Sequence, residues 1–477
     1  MKTQSSIKAA EQEAIFGIVP VLKKEKTYGF IDAFLITSGY AIATWCYTQG
    51  AFMAQELSFK QLVTSIFGPN LLFITLTSLP VLFAIRYGID IWVWLRAVFG
   101  GNGCKIISIV FIAMELPWFA VCADMFAGSM MGLADGFGII VSPETKRWIA
   151  LICIIGGTLI AFGGPMVIKW SSRVMVTALL AIGIMVVTLA FTSVPISEMI
   201  RFTPRADGTG ASRETYMLMV EASAGFAFSW ALGLAVLPRL CKKERSGYWA
   251  THLGYGVVAP FFVLAGGVMA IAMFIKFGVY SEDPTELLTR LGGPGLALFS
   301  LLLVAFANIG TQGSGTYIYA LVLKSSFPKL PYRITAAILM VYMGGLTLWG
   351  KVTEYFGAFI SYSAFIIAPV SGLVVVDFLF VRKQKISIRS LYGVDAHSAY
   401  RFHGGFNLVG IACMILGFIS GILVYNPATG EVLSPIFYYT TASGLTFLVS
   451  GLSYFLLSLL PPIQRYMLKD CEGMSGS

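Results

Sequence analysis

A glutamate, a tryptophan and a cysteine, Glu115, Trp118 and Cys122, follow one another at intervals of three and four residues in the apolar stretch ELPWFAVCADMF (Glu115 to Phe126). In a helix this spacing puts all three on neighbouring parts of one face. A carboxylate at bilayer depth costs about 2.5–3.5 kcal/mol or more unless it is paired or faces a wet cavity. Glu115 therefore marks either a transport pathway or a satisfied interhelical pair, and in the pathway reading it can take up a proton or face a cation. Trp118 offers an aromatic face to a flat or cationic ligand; its depth argues against an interfacial anchor. Pro117 removes a backbone donor between them and should disturb the local ladder. Asp124 lies nine positions from Glu115, about half a turn out of phase at roughly 3.6 residues per turn, so the two acids should not share a site.

A second constellation occurs in VAFANIGTQGSGTYIY (Val304 to Tyr319), where Asn308, Thr311 and Gln312 share an i, i+3, i+4 face and Ser314 follows closely. Oxygen ligands of this kind suit a hard monovalent cation, and they equally suit hydrogen bonding between helices. Glu221 is a further acid in an apolar run and joins Glu115 as a candidate for proton coupling. An intramembrane enzyme would need at least a catalytic carboxylate pair, and no nucleophile–base constellation accompanies these acids. A channel is the other alternative, separable by whether accumulation saturates and follows a gradient. The seven cysteines form no CxxC pair, and His252, His397 and His403 form no ligand pattern, so neither a disulfide framework nor a metal site is expected.

The elements that must position these residues are membrane helices. Hydrophobic residues make up 57% of the 477, charged residues only 12%, and the mean hydropathy is +0.79, far from a soluble globular chain. Apolar runs reach the roughly 20 residues that cross a bilayer. Twelve spans are expected, near 28–53, 61–85, 105–134, 147–165, 172–195, 214–240, 249–277, 293–323, 332–350, 353–381, 406–425 and 436–460; they are called spans one to twelve below. With both termini inside, the inner segments hold 24 of the 33 Lys and Arg residues, as the positive-inside rule requires. The net charge of +9 thus reads as topology, and no solvated basic face suggests nucleic acid. The polar first 27 residues resemble no cleavable signal, so span one should serve as its own insertion signal.

Carriers build their sites on helices interrupted near the midplane. Span one has polar residues and glycine at its centre, WCYTQGAF (Trp45 to Phe52), and span six has EASAGFAFSWALG (Glu221 to Gly233), so breaks are expected at both, although glycine also serves helix packing. Interruptions five helices apart suggest two inverted five-helix repeats, 28–195 and 214–381. Around them lie an N-terminal segment 1–27, two accessory helices over 406–460 and a tail 461–477. The fold class is all-α, a polytopic membrane protein with twelve transmembrane helices.

Several segments carry a family resemblance: LRAVFGGNG (Leu95 to Gly103), the PWF around Trp118, APVSGLVVVDFLFVRKQKISIRSLY (Ala368 to Tyr392) and YRFHGGFN (Tyr400 to Asn407). Over nearly its whole length the chain resembles the nucleobase–cation symporter family 1, whose relatives include cytosine, allantoin and hydantoin permeases. The resemblance implies a five-plus-five inverted-repeat, leucine-transporter-like core with a flat nitrogen heterocycle held between aromatics of spans three and six. Trp118 matches the span-three aromatic, and the span-six partner is Phe226, directly after Gly225, or Phe228. Gln49 carries over as the amide of span one; Cys122 stands at the span-three amide position and cannot bond in the same way. Gln312 and Tyr317 complete the candidate substrate residues on span eight. Sodium coupling would use backbone carbonyls near Trp45 and Thr48 with Asn308, Thr311 and Gln312, while protonation of Glu115 or Glu221 is the competing mechanism.

The expected function is secondary active import of a nucleobase or related nitrogen heterocycle by sodium or proton symport and alternating access. The alternative cargo is a cationic heterocycle or amine, thiamine-like, with Glu115 as counter-charge. Neither catalysis nor a cofactor is expected. The partners are a small planar substrate and the lipid bilayer, in a plasma membrane such as a bacterial inner membrane, with both termini cytoplasmic; oligomeric state is not legible.

Overall fold

Each of the twelve apolar runs forms helix, and the places where helices bend follow from a few residues. In the computed structural model, residues 19–204, 208–352, 354–393 and 399–468 are described. Lys2, Lys8, His397, Cys471, most of the N-terminal segment 1–27 and the end of the tail 461–477 lie outside the described residues. Spans two to ten supply the nine helices that are long and apolar enough to cross a membrane among those residues. A tenth appears if Ala442–Ser458 of span twelve is joined to Pro461–Met467, which bends away by 105°. Span eleven, Leu408–Ile422, is a shorter apolar helix. Apolar side chains such as Leu159, Val174, Ile184, Val341 and Leu452 are exposed around the outside, where lipid is the solvent.

Span one is divided, but not where its polar centre suggested. Phe30–Ala41 ends at Ile42, which is extended (φ −109°, ψ 133°), and a second helix, Trp45–Ala54, starts after Thr44. The WCYTQGAF segment is thus continuous helix, and Gly50 in it is a packing residue: a Cβ there would lie 1.8 Å from the Val263 carbonyl of span seven. Span six departs from expectation in the same way. Arg213–Leu234 runs unbroken through EASAGFAFSWALG and gives way only afterwards to a 3₁₀ turn, Leu237–Leu240. Its glycines serve close approach, Gly225 to Ile360 and Ala364 of span ten and Gly233 to the Tyr40 ring. In a membrane, small residues at helix contacts gain packing without loss of backbone bonds.

Span three consists of Gly101–Glu115 and Pro117–Gly136, meeting at Leu116 where Pro117 has no amide to donate. Span eight belongs to the long helix Pro284–Ser326, kinked at Gly293 (φ 78°) before Pro294, so the transmembrane part begins at the kink. Spans two, four, five, seven and nine are Phe59–Tyr87, Lys146–Phe162, Gly164–Ser193, Glu244–Phe277 and Tyr332–Trp349. Span ten, Phe356–Val376, ends in a π turn, Asp377–Val381.

One helix escaped the hydropathy reading. Ile91–Phe99, capped by Asp90, whose carboxylate accepts from Trp92 N at 3.1 Å, lies between spans two and three with all but Arg96 buried. It is pinned on the face where the described chain begins, called here the N-terminal face, by a buried ion pair. Arg382 Nε lies 3.1 Å from both Asp377 oxygens, and its Nη2 donates to the carbonyls of Ala97 (3.2 Å) and Met467 (2.9 Å). Trp94 Nε1 and Tyr454 OH donate to the same carboxylate at 2.9 and 3.0 Å. Asp377→Ala leaves the Arg382 guanidinium buried without its counter-charge, which costs about 3–5 kcal/mol. The expected result is a clearly lower melting temperature of the purified protein; an unchanged melt would show that the pair is not what holds this face.

Candidate functional site: an aromatic cage beside a divided helix

Division of span one turns the first residue of its second half, Trp45, into the centre of the molecule. There the indole stacks on Trp230 of span six (centroids 5.3 Å, 25° between planes) and meets Trp118 of span three edge-on at 5.7 Å. Trp118 also contacts Phe226 (5.6 Å), Trp230 (5.6 Å) and Phe359 of span ten (5.1 Å). Phe119, Tyr40 and Tyr319 extend the cluster, the two tyrosine hydroxyls 2.8 Å apart. The three indoles are fully buried.

Between the two span-six candidates the geometry is unambiguous. Phe226 faces Trp118, whereas Phe228 turns to Phe73 of span two (4.5 Å) and Phe447 of span twelve (5.5 Å). Trp230, four residues after Phe226, shares its face and was missed by the sequence reading; an i, i+4 projection from Phe226 would have found it. Trp45 was expected to offer a backbone carbonyl to a cation. Trp45 opens the helix Trp45–Ala54, so its carbonyl sits in the first turn beside the break, while its indole joins the aromatic cluster.

Glu115 is fully buried. Ser363 of span ten donates its hydroxyl to Oε1 in a short hydrogen bond, and Oε2 has no hydrogen-bond partner among the described residues. An unmatched buried polar atom ordinarily costs about 1–3 kcal/mol, so such atoms mark places that a ligand or proton can complete. Glu221 is different. Both of its oxygens accept backbone amides of Ala442 and Ser443 (2.9–3.1 Å), with the Ser443 hydroxyl added, so it holds the first turn of the span-twelve helix. These charge-assisted bonds anchor span six to span twelve.

Around the break in span one, oxygen groups converge from span eight. Thr311 Oγ1 donates to Ile42 O at 3.3 Å and lies 3.1 Å from Met175 Sδ. Asn308 Oδ1 accepts from Thr44 Oγ1 (3.1 Å) and from Cys122 Sγ (3.2 Å). Cys122 therefore braces span three against span eight. Gln312 turns its Nε2 to Met343 Sδ at 2.9 Å and packs its stem on Gly157, towards spans nine and four, and its Oε1 has no hydrogen-bond partner among the described residues. The Tyr317 ring neighbours Tyr332 at 5.9 Å, while Tyr319 is the span-eight tyrosine in the cage. The residues that could hold a monovalent cation are thus Ile42 by its carbonyl, Thr311 and Asn308.

Gln49 and Thr48 line a cavity of about 480 Å³ on the face opposite the N-terminal one, with Phe52, Glu221, Glu282 and Tyr425. Gln49 Nε2 reaches the Ala222 carbonyl at 3.5 Å, and its Oε1 has no partner among the described residues. Because Gln49 lies one turn after Trp45, the cavity floor adjoins the cage. Thr48 lines this cavity, and its Oγ1 has no hydrogen-bond partner among the described residues.

The model of the family described as permease for cytosine/purines, uracil, thiamine, allantoin matches residues 20–454. Among curated proteins, the chain is 20% identical to the purine-uracil permease NCS1 of Arabidopsis thaliana, over 92% of this chain and 76% of the relative. It is 22% identical to the hydantoin permease of Microbacterium maritypicum (86% and 87%) and to the allantoin permease of Bacillus subtilis strain 168 (99% and 98%). Among solved structures it is similar to Mhp1, a nucleobase-cation-symport-1 family transporter, in a closed conformation with bromovinylhydantoin bound. That likeness has a TM-score of 0.75 at 19% identity and covers 94% and 95% of the two chains. A sodium-coupled sialic acid symporter shares the fold at a TM-score of 0.63 and 15% identity, covering 91% of each chain. These likenesses bear out the leucine-transporter-like architecture and set catalysis aside. The chain belongs to the family of permeases for cytosine/purines, uracil, thiamine and allantoin.

Proposed function

We propose that the protein imports a planar nitrogen heterocycle of the nucleobase or hydantoin type by cation symport, with the ring held in the Trp45–Trp118–Trp230 cage and its N–H edge turned to Glu115. The observation that carries this reading is the juxtaposition on span three of a caged indole and, three residues away, a buried carboxylate with one oxygen unmatched. A ring sandwiched between two aromatic faces needs about 7 Å between them, twice a carbon contact of roughly 3.5 Å. Trp45 and Trp230 are closer than that. Substrate must therefore part the rings, and binding energy becomes coupled to the facing state, as alternating access requires. The cavity over Gln49 is the route from the opposite face.

A second reading has its own support. The same cavity is lined by Glu221 and Glu282 with no Lys or Arg among its lining residues, and an aromatic cage with a carboxylate suits a cationic heterocycle. Glu115→Gln separates the two. A neutral substrate keeps most of its affinity against the amide, whereas a cationic one loses its counter-charge and its uptake collapses. In either case Trp118→Ala should weaken substrate binding by about tenfold or more, read as uptake in proteoliposomes or by ligand titration, because a ring face and its buried area are both removed. Full retention of affinity would move the site elsewhere.

For coupling, the Ile42 carbonyl with Thr311 and Asn308 favours sodium, since it joins hard oxygen groups across a helix break. Thr311→Ala should raise the sodium concentration for half-maximal uptake by about tenfold, the worth of one lost ligand bond. Gln312→Ala should leave it unchanged. Sodium independence in the unmodified protein, with uptake following a pH gradient that Glu115→Gln abolishes, would transfer coupling to the carboxylate. The N-terminal face is the cytoplasmic side of the plasma membrane in this reading, supported by the excess of Lys and Arg in the segments assigned to it.

A further inference from the structure

On the N-terminal face, a cavity of about 330 Å³ opens between Ile91–Phe99, the start of span three, the end of span eight and the segment before span eleven. Arg96, Lys105 and Arg401 line it together with Ser325, Ser326 and Ser390, and no Asp or Glu is among the lining residues. The carboxylate that faces Arg96 is Asp90, buried behind Ser325 and outside the lining. Arg96, only half-buried, donates Nη1 to the Leu391 carbonyl (3.1 Å) and Nη2 to the Ser325 carbonyl (2.5 Å), both neutral groups. Lys105 Nζ donates to Asn102 Oδ1 at 3.1 Å. Among the described residues none of the three forms an ion pair. The helix Gly101–Glu115 begins at the same cavity, adding the positive end of its dipole. Its first amides are not free donors, since those of Asn102 and Gly103 are taken by the Gly405 carbonyl, so the side chains must do the binding.

We propose that this cavity binds a phosphate group, carried either by a soluble phosphate compound or by the headgroup of an anionic lipid. Three converging cations match a tetrahedral anion, which accepts several charge-assisted bonds at once; the Ser325 and Ser326 hydroxyls are already committed, to Asp90 Oδ2 at 3.2 Å and to Ser108 Oγ at 2.6 Å. The volume suits a small ester as well as the bare ion. Occupancy would act on transport. Arg96 already ties Ile91–Phe99 to the end of span eight and to Leu391, and a bound phosphate bridging Arg96, Lys105 and Arg401 would fasten the same elements, favouring the state in which the N-terminal face is shut. This consequence rests on the transport reading, whereas the binding does not.

The test uses the full chain in nanodiscs of zwitterionic lipid. Thermal unfolding is followed against inorganic phosphate, against chloride at matched ionic strength, and in discs containing phosphatidylglycerol. The variant Lys105→Gln/Arg401→Gln removes two charges and leaves the carbonyl bonds of Arg96 intact. A saturable stabilisation by phosphate beyond that of chloride, weakened about tenfold or more in the variant, supports a soluble ligand. Stabilisation confined to phosphatidylglycerol discs and lost in the variant supports the lipid headgroup. Equal effects of phosphate and chloride without a phosphatidylglycerol effect, or a shift that the variant leaves unchanged, overturn the site. Because the readout is binding alone, a failure of the transport reading would not alter it.

Discussion

The interruption of span one at Ile42–Thr44 is the constraint on which the central structure depends. Backbone groups released in a membrane interior have no water to bond, so a break survives only where neighbouring groups take them up. Here span eight does so through Thr311, which donates to the Ile42 carbonyl, and it adds a side-chain bond between Thr44 and Asn308. The indole of Trp45 reaches back to the Ala41 carbonyl at 3.3 Å, which caps the first half-helix and turns the ring into the cage. The break and the ring cluster thereby meet within residues 42–45.

Around that centre the molecule is divided between parts that are firmly tied and parts that are only packed. The Asp377–Arg382 pair, with Trp94, Tyr454 and two backbone carbonyls, gathers span ten, span twelve and the helix Ile91–Phe99 into one unit. Glu221 similarly binds span six to span twelve. The cage relies on ring contacts, each worth about 0.5–1.5 kcal/mol beyond its buried area, with no charge-assisted bond among them. Alternating access needs this contrast: elements that stay whole, moving against an interface that can part.

Much of the architecture was legible in composition and periodicity. Apolar length identified the spans because a bilayer demands about 20 apolar residues of any helix that crosses it. Ile91–Phe99 was not legible by that measure, since a nine-residue helix buried against protein carries no membrane-length signal. Trp118 was found from its type and depth, and Glu115 from the cost of its charge. The breaks were misplaced because glycine and polar residues were read as causes of interruption. In spans one and six, Gly50, Gly225 and Gly233 are instead the small surfaces against which other helices lie.

What the sequence by itself determined is therefore the class of the molecule, its family, and the identity of the residues too costly to bury without purpose: Glu115, Trp118, Asn308 and Thr311. Only the tertiary structure decided their partners. It turned Phe226 to Trp118 and Phe228 to Phe73 and Phe447, brought Trp45 and Trp230 to Trp118, turned Gln312 Nε2 to Met343, and tied Glu221 to span twelve. The reason is physical. Helical spacing fixes which residues share a face, but the rotation of each helix about its axis is set by packing against its neighbours, and that sum of contacts is not local in the chain.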